Sequence, residues 1–255
     1  MVIHQRHEES TEEKIHLERK TIRHWPSFTF FWVVVLLSLE NGAFEAIDTR
    51  HLKTIIDYIR WYGLEDRYQY AVAVRLDKKY CSNPNPTNLE AVLPDNEMLQ
   101  MKNAIKEKNG IYIPNKIKNI IAARPDKELP RKHAEWRLLN GGKNSPVEKL
   151  LANGGQNSCF IFFSKSSPCV DRCLNMNDMN NIVQILNPIF NRYSENSRAF
   201  VFETIYYKDE EKRAEVVINA WKKIRHAPLF KCNRNNCIQC FDNNLPEIRS
   251  PCYSR

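Results

Sequence analysis

Two short motifs contain the side chains that are best suited to chemistry. The first is a His-x-Glu motif, and the second is a Pro-Cys-x-x-x-Cys motif further along the chain. One imidazole and two thiolates are ligands that Zn²⁺ prefers, and three protein ligands leave the fourth tetrahedral position open to water. Bound zinc lowers the pKa of that water towards neutrality, and a free carboxylate nearby can move its proton. These residue types predict a catalytic zinc site with the ligands His133, Cys169 and Cys173 and with Glu135 as the catalytic carboxylate.

The spacing of the cysteines indicates how the chain would position them. Cys169 and Cys173 lie at positions i and i+4, so on a helix both side chains would point to one face. Pro168 suits the first turn of a helix, and a helix N-terminus favours the thiolate form that binds metal. We therefore predict that each motif opens a helix. A surface histidine and a pair of disulfide cysteines would explain either motif alone, but both motifs in this order favour the zinc site.

The order of the two motifs also matches a known pattern. His-x-Glu followed by Pro-Cys-x-x-Cys is the signature of zinc deaminases that act on bases, and here the second motif is one residue longer. A strand-like run, Cys159-Phe160-Ile161-Phe162-Phe163, leads into Ser164-Lys165-Ser166-Ser167-Pro168-Cys169. On these residues the chain resembles the cytidine-deaminase-like superfamily and, within it, the AID/APOBEC-like branch, over about residues 65–225. Ser166 stands where that branch typically has Trp.

The resemblance implies a fold, a cofactor and a reaction. It implies an α/β protein with three α-β-α layers and a mixed central sheet of about five strands. It also implies a bound Zn²⁺ and hydrolytic conversion of cytosine to uracil, in single-stranded DNA or RNA. A secreted group of AID/APOBEC-like deaminases, with signal peptides and additional cysteines, is the group that the chain is most similar to.

Patterns of apolar residues predict the elements that must position the two motifs. Strands alternate with helices, which indicates a sheet covered on both faces. Ligands of open α/β sheets bind beyond the strand ends, so both motifs are expected at helix starts beside those ends. The strands are predicted at about 70–76, 117–123, 159–164 and 199–207, and the helices at about 49–62, 133–139, 146–152, 182–190 and 209–225.

Two tyrosines are predicted to line the substrate site. Tyr206 and Tyr207 are expected at the end of the fourth strand, where neighbouring side chains point to opposite faces. In AID/APOBEC-like proteins the loop after this strand carries aromatic residues that contact the target base or its 5′ neighbour, so the resemblance implies the same role here. The alternative is that both tyrosines are ordinary strand aromatics.

The ends of the chain differ from its centre in composition. Residues 1–46 are predicted to form a disordered charged leader followed by a signal peptide or an anchor. The apolar run at 28–39 has the length of a signal-peptide core and is short for a membrane span. A zinc deaminase domain is predicted over 47–228 and a cysteine-rich tail over 229–255. We expect a secreted protein with no stable membrane span; the alternative is a single-pass anchored protein.

The remaining cysteines support the prediction of secretion. Eight cysteines less the two assigned to zinc leave six, an even number that suits disulfides in an oxidising compartment. The four in the tail could instead hold a structural zinc. The sequence does not determine the pairing of the disulfide candidates, which are Cys81, Cys159, Cys232, Cys237, Cys240 and Cys252.

Charge and composition restrict the partners. The formal net charge of +8 and a pI near 9.0 favour acidic partners such as nucleic acid. The seven glycines include no Gly-rich phosphate loop, which excludes that class of nucleotide-binding site. We expect a substrate that contains cytosine, either nucleic acid or a free nucleoside. The competing hypothesis is a secreted, disulfide-stapled protein that binds nucleic acid or another partner through a fold with a non-catalytic zinc site.

Overall fold

The computed structural model describes residues 47–66, 68–152, 154, 157–241 and 250–253. The predicted leader and the apolar run at 28–39 lie outside these residues. None of the described helices is both long and apolar enough to cross a membrane.

A mixed sheet of seven strands forms the centre of the described chain, in the order β2-β3-β1-β4-β5-β6-β7. The pairs β4–β5 and β5–β6 are parallel, and the other neighbours are antiparallel. The mixed sheet is confirmed, but it has seven strands rather than about five. The strands are β1 (Ala71–Asp77), β2 (Ile111–Tyr112), β3 (Ile120–Ala123), β4 (Ser158–Ser166), β5 (Arg198–Thr204), β6 (Leu229–Cys232) and β7 (Cys237–Gln239).

The helices that cover the sheet begin and end close to the predicted positions in several places. Asp48 caps the first helix by accepting a hydrogen bond from the Arg50 amide, and Ser145 caps the helix at 146–152 by accepting one from the Glu148 amide. The α-helices are α1 (Thr49–Trp61), α2 (Lys78–Ser82), α3 (Pro86–Val92), α4 (Asp95–Lys106), α5 (Ala134–Leu139), α6 (Pro146–Ala152), α7 (Val183–Phe190), α8 (Tyr207–Glu210) and α9 (Ala214–Trp221). The helix predicted over 209–225 is therefore wrong in its extent.

Alternation along the strands divides the core into two layers. On β4, Phe160 and Phe162 face the layer that includes α5, α6, α7 and α9, whereas Ile161 and Phe163 face the layer with α1, α3 and α4. Both faces of the sheet are thus covered by helices, and residues from all these elements are buried. This arrangement confirms the predicted three-layer α-β-α fold.

The tail contributes directly to the sheet. Residues 229–232 pair with β5, and residues 237–239 pair with residues 230–232. These two strands account for the difference between seven strands and about five. The domain limits at 47–228 and 229–255 stay predictions.

All six cysteines outside the predicted zinc site form disulfides. Cys81 on α2 is bonded to Cys159 on β4, and the tail contains two further bonds, Cys232–Cys237 and Cys240–Cys252. Because the four tail cysteines are used in pairs, the alternative of a structural zinc in the tail is not supported. Cys169 and Cys173 are the free cysteines of the described chain.

The Cys81–Cys159 disulfide is expected to contribute most to stability, because it closes the longest loop. Its partners are 78 residues apart, whereas Cys232 and Cys237 are 5 apart. In the chain-entropy model, closing these loops in the unfolded chain stabilises the folded state by about 4.5 and about 2 kcal/mol, respectively. We expect a Cys81→Ala/Cys159→Ala variant to lose more free energy of unfolding than a Cys232→Ala/Cys237→Ala variant, as measured by urea denaturation. Equal losses would contradict this ranking.

Candidate active site

His133 lies at the start of α5, as the sequence predicts. It is the residue immediately before the first turn, with an extended backbone, and the helix that follows buries Leu138 and Leu139 under the sheet. This apolar anchor fixes the start of the helix. Glu135 is therefore held in the first turn, near the histidine side chain.

The second motif does not open a helix, so that prediction is wrong. Residues after β4 form a series of turns, and the next helix begins only at Val183. The Leu174 amide donates to the Cys169 carbonyl at 3.0 Å, which closes a turn wider than that of an α-helix. Asn and Asp side chains stabilise the turns that follow; for example, Asp178 accepts from the Asn180 amide at 2.7 Å. The wider turn accommodates the extra residue between the two cysteines.

The two motifs nevertheless bring their ligand atoms together. The Nδ1 atom of His133 lies 3.0 Å from Cys173 Sγ and 3.5 Å from Cys169 Sγ. All three atoms lie within 4.8 Å of one another, and both cysteines are buried, so this group could hold a metal ion. A hydrogen bond from Cys173 and the proximity of His133 lower the pKa of the Cys169 thiol to about 4. The thiolate form that binds metal is therefore favoured at Cys169.

Glu135 is a buried carboxylate with one free oxygen. Its Oε1 atom accepts hydrogen bonds from Ser164 Oγ at 2.6 Å and from Gln69 Nε2 at 3.3 Å. Its Oε2 atom is buried, and no hydrogen-bond partner for it exists among the described residues. Burial raises the pKa of this carboxyl, although His133 and the Ser164 hydroxyl oppose the shift. A buried oxygen without a partner fits a carboxylate that acts on a water or ligand beside the metal group.

Gln69 is a site residue that the sequence analysis missed. It lies just before β1, and its Oε1 atom accepts a hydrogen bond from the Ser166 amide at 3.0 Å. Its Nε2 atom donates to both Glu135 and Ser164. Gln69 thus connects the start of β1 to the end of β4 and orients the Glu135 carboxylate. No motif surrounds it in the sequence, so only the contacts identify it.

Tyr206 and Tyr207 lie beside this group, although not where the strand prediction placed them. β5 ends at Thr204, so Tyr206 lies in the following loop and Tyr207 begins α8. Both line a cavity of about 390 Å³ together with His133, Glu135 and Cys169. The Tyr206 ring centroid lies 6.4 Å from that of His133 and 4.8 Å from that of Tyr207. Tyr207 is 62% exposed, whereas Tyr206 is partly buried against the core.

The different exposure of the two tyrosines gives different expected effects. With the single-stranded substrate that the resemblance implies, Tyr207→Ala should lower turnover of an oligonucleotide by the loss of stacking, about 1–3 kcal/mol for one base, with an unchanged melting temperature. Tyr206→Ala should lower both turnover and melting temperature, because the ring also packs on the core. Tyr207→Phe is the matched control, since it keeps the ring. If Tyr207→Ala turns over the oligonucleotide as the wild type does, Tyr207 does not contact the substrate.

The fold and the site define a class of protein. A mixed sheet covered on both faces, with a His-x-Glu helix after β3 and a Cys pair after β4, is typical of the cytidine-deaminase-like α/β proteins. The chain belongs to the family described as secreted novel AID/APOBEC-like deaminase 1, whose model matches residues 49–254. Comparison with curated proteins and with solved structures gave no significant match.

The family match confirms the predicted AID/APOBEC-like assignment and extends it. The resemblance covered about residues 65–225, whereas the match includes α1 and the cysteine-rich tail. The family description contains the word secreted, in agreement with the predicted localisation. The predicted leader at 1–46 lies outside the matched residues.

Proposed function

We propose that the protein is a zinc-dependent hydrolytic deaminase that converts cytosine to uracil in single-stranded nucleic acid. The observation that carries this proposal is the buried Glu135 carboxylate, whose Oε2 atom has no partner among the described residues and which shares a cavity with the His/Cys/Cys group. The family match supports deaminase activity in general. The choice of cytosine follows from the resemblance of the two motifs.

His133, Cys169 and Cys173 would hold the zinc. Three ligands of N and S type are the set found at catalytic zinc sites, where a fourth position stays open. When bound, zinc supplies a Lewis acid that lowers the pKa of a water molecule towards neutrality. The cavity lined by His133 and Cys169 would give access to that water and to a base.

Glu135 would carry the protons of the reaction. Its Oε2 atom accepts a proton from the water that adds to C4 of cytosine and delivers a proton to ring N3. A second transfer through the same oxygen moves the proton of the new C4 hydroxyl to the amino nitrogen, so the C4–N bond breaks, the C4 carbonyl forms and ammonia leaves. Water and cytosine are thus converted to uracil and ammonia. Ser164 and Gln69 hold Oε1, so the free oxygen keeps one orientation during both transfers.

Charges at the mouth of the cavity favour nucleic acid over a free nucleoside. Arg131, Arg172 and Lys208 line the cavity together with Asp171. Asp171 is paired with Lys212 at 3.0 Å, and Arg172 is paired with Asp178 at 3.6 Å. Phosphates on either side of a target base would meet these basic side chains. A free nucleoside has no phosphates and would gain nothing from them.

A deamination assay with metal analysis tests the proposal. Purified protein with one zinc per chain should convert cytosine to uracil in a single-stranded oligonucleotide faster than in free cytidine. DNA and RNA versions of the same oligonucleotide identify the preferred sugar. Activity on cytidine alone would support a nucleoside deaminase instead. A zinc-loaded protein that deaminates neither substrate would support a non-catalytic binding protein.

A further inference from the structure

A second and larger cavity lies on the other face of the sheet from the zinc site. It has a volume of about 1020 Å³ and is lined by residues from α1, α4 and the strand ends. On β4 the Ser164 side chain reaches Glu135, whereas the next residue, Lys165, lines this second cavity. Neighbouring residues of a strand point to opposite faces of the sheet. Because Ser164 and Lys165 both lie near the end of β4, the two cavities lie on opposite faces at the same end of the sheet. We refer to the second cavity as the basic cleft.

Four acidic residues also line the basic cleft, namely Asp57, Glu65, Asp66 and Glu203, and the last two are paired with one set of its cations. Lys165 forms ion pairs with Asp66 at 2.8 Å and with Glu203 at 2.9 Å. Arg60 contacts Glu203 at 3.2 Å, and Arg234 contacts Asp66 at 2.6 Å. These contacts fix the shape of the cleft, and they leave Asp66 and Glu203 with no free charge for other cations.

A second set of cations in the cleft has no acidic partner in the described part of the chain. Lys102 and Lys106 lie one helical turn apart on α4, so their side chains share a face. Arg124 donates to the Lys106 carbonyl at 2.9 Å and adds its charge at the same wall. Three positive charges on one wall of a cavity, none of them in an ion pair among the described residues, attract an anionic ligand.

Two aromatic side chains accompany these charges. Trp61 lines the cleft and is 79% exposed, which is unusual for the largest apolar side chain. The Arg124 guanidinium lies over the Tyr68 ring at 4.8 Å from its centroid. Grooves that bind single-stranded nucleic acid combine cations along the sugar-phosphate backbone with aromatic side chains on which the bases stack.

The basic cleft and the active-site cavity share a rim. Tyr68 and Arg124 line the cleft, and the residues that follow them, Gln69 and Pro125, line the cavity with Glu135. A single nucleic-acid strand that extends from the active site across this rim would reach the basic cleft while it stays in contact with the protein surface.

From this geometry we infer that the basic cleft binds the sugar-phosphate flank of a single nucleic-acid strand whose target base occupies the zinc cavity. Lys102, Lys106 and Arg124 contact phosphates, and Trp61 stacks on a base of the flank. The inference rests on the proposed function for the identity of the substrate, but binding to the cleft does not require deamination.

The test is a binding measurement with an oligonucleotide that contains no cytosine. A fluorescent single-stranded oligoadenylate of about 12 nucleotides is titrated with the full chain, and anisotropy is recorded over a range of salt concentrations. Lys102→Gln/Lys106→Gln should weaken binding about tenfold at low salt and reduce the slope of log K against log salt by about 0.7 for each lost contact. Lys79→Gln/Lys143→Gln is the matched control, because neither residue lines either cavity. This control should bind as the wild type does.

The aromatic part of the inference has its own readout. Binding of the oligoadenylate should quench Trp61 fluorescence. Trp61→Ala should remove that quenching and weaken binding without lowering the melting temperature, because the side chain is exposed.

Lysine variants with wild-type affinity and salt slope would overturn the inference, as would a wild type that binds no oligoadenylate. If a heparin oligosaccharide binds in place of the strand and Trp61→Ala has no effect on the oligonucleotide, the cleft is a site for sulfated glycan instead. Binding as expected without any cytosine deamination would leave the cleft assigned and would refute the proposed function alone.

Discussion

Glu135→Gln is expected to remove deamination almost completely. The amide keeps the size of the side chain and can still accept hydrogen bonds at one oxygen from Ser164 and Gln69, but it cannot accept and return a proton. Loss of a general acid–base group typically lowers kcat by a factor of about 10²–10⁴. The measurement is kcat on a single-stranded oligonucleotide, with product detected as uracil.

The stability of this variant separates a catalytic role from a structural one. Glu135 is buried, and its Oε2 atom has no partner in the described part of the chain, so the native carboxylate costs stability where it stands. Glu135→Gln should therefore keep its zinc and should unfold at the wild-type temperature or slightly above it. Glu148→Gln serves as the control, because Glu148 pairs with Arg192 away from the site and its loss should leave kcat unchanged. Wild-type turnover in Glu135→Gln would refute the assigned role.

Removal of a proposed zinc ligand is expected to remove the metal and to lower the free energy of unfolding. Cys173→Ser replaces a buried cysteine whose Sγ atom lies 3.0 Å from His133 Nδ1. The variant should purify with far less than one zinc per chain, whereas the wild type should contain one. A ligand that binds only the folded state stabilises it by about 4 kcal/mol when its concentration is about a thousand times its Kd. A strong chelator should therefore lower the melting temperature of the wild type and have little effect on Cys173→Ser.

A pair of tail cysteines provides the matched control for this experiment. Cys232→Ala/Cys237→Ala removes a disulfide rather than a ligand, so its zinc content should equal that of the wild type. If this control lost zinc and Cys173→Ser retained it, the metal site would lie in the tail. A folded, active wild type without metal would show that the His/Cys/Cys group does not work through zinc.

Local patterns in the sequence were sufficient for the motifs and for several elements. His-x-Glu and the cysteine pair predicted the group that the structure brings together, because the residue types and their order alone specify a zinc ligand set. α1 and α6 were predicted with nearly correct limits, since capping residues and apolar periodicity are local signals. The three-layer fold followed from the alternation of strands and helices and from the resemblance.

Contacts between distant residues were decided only by the tertiary structure. The cysteine pairing, for example Cys81 with Cys159, depends on the antiparallel register of β1 and β4, which no local pattern specifies. Gln69 and Ser164 meet Glu135 from positions 66 and 29 residues away, because the start of β1 and the end of β4 lie side by side in the sheet. The cysteine motif was predicted to begin a helix from its spacing, but the Asn- and Asp-rich segment after it forms turns, whose side-chain hydrogen bonds compete with a helix. The periodicity of apolar residues predicts which face of a strand or helix a side chain lies on. The residues that it contacts on that face are determined only when the strands pair into a sheet.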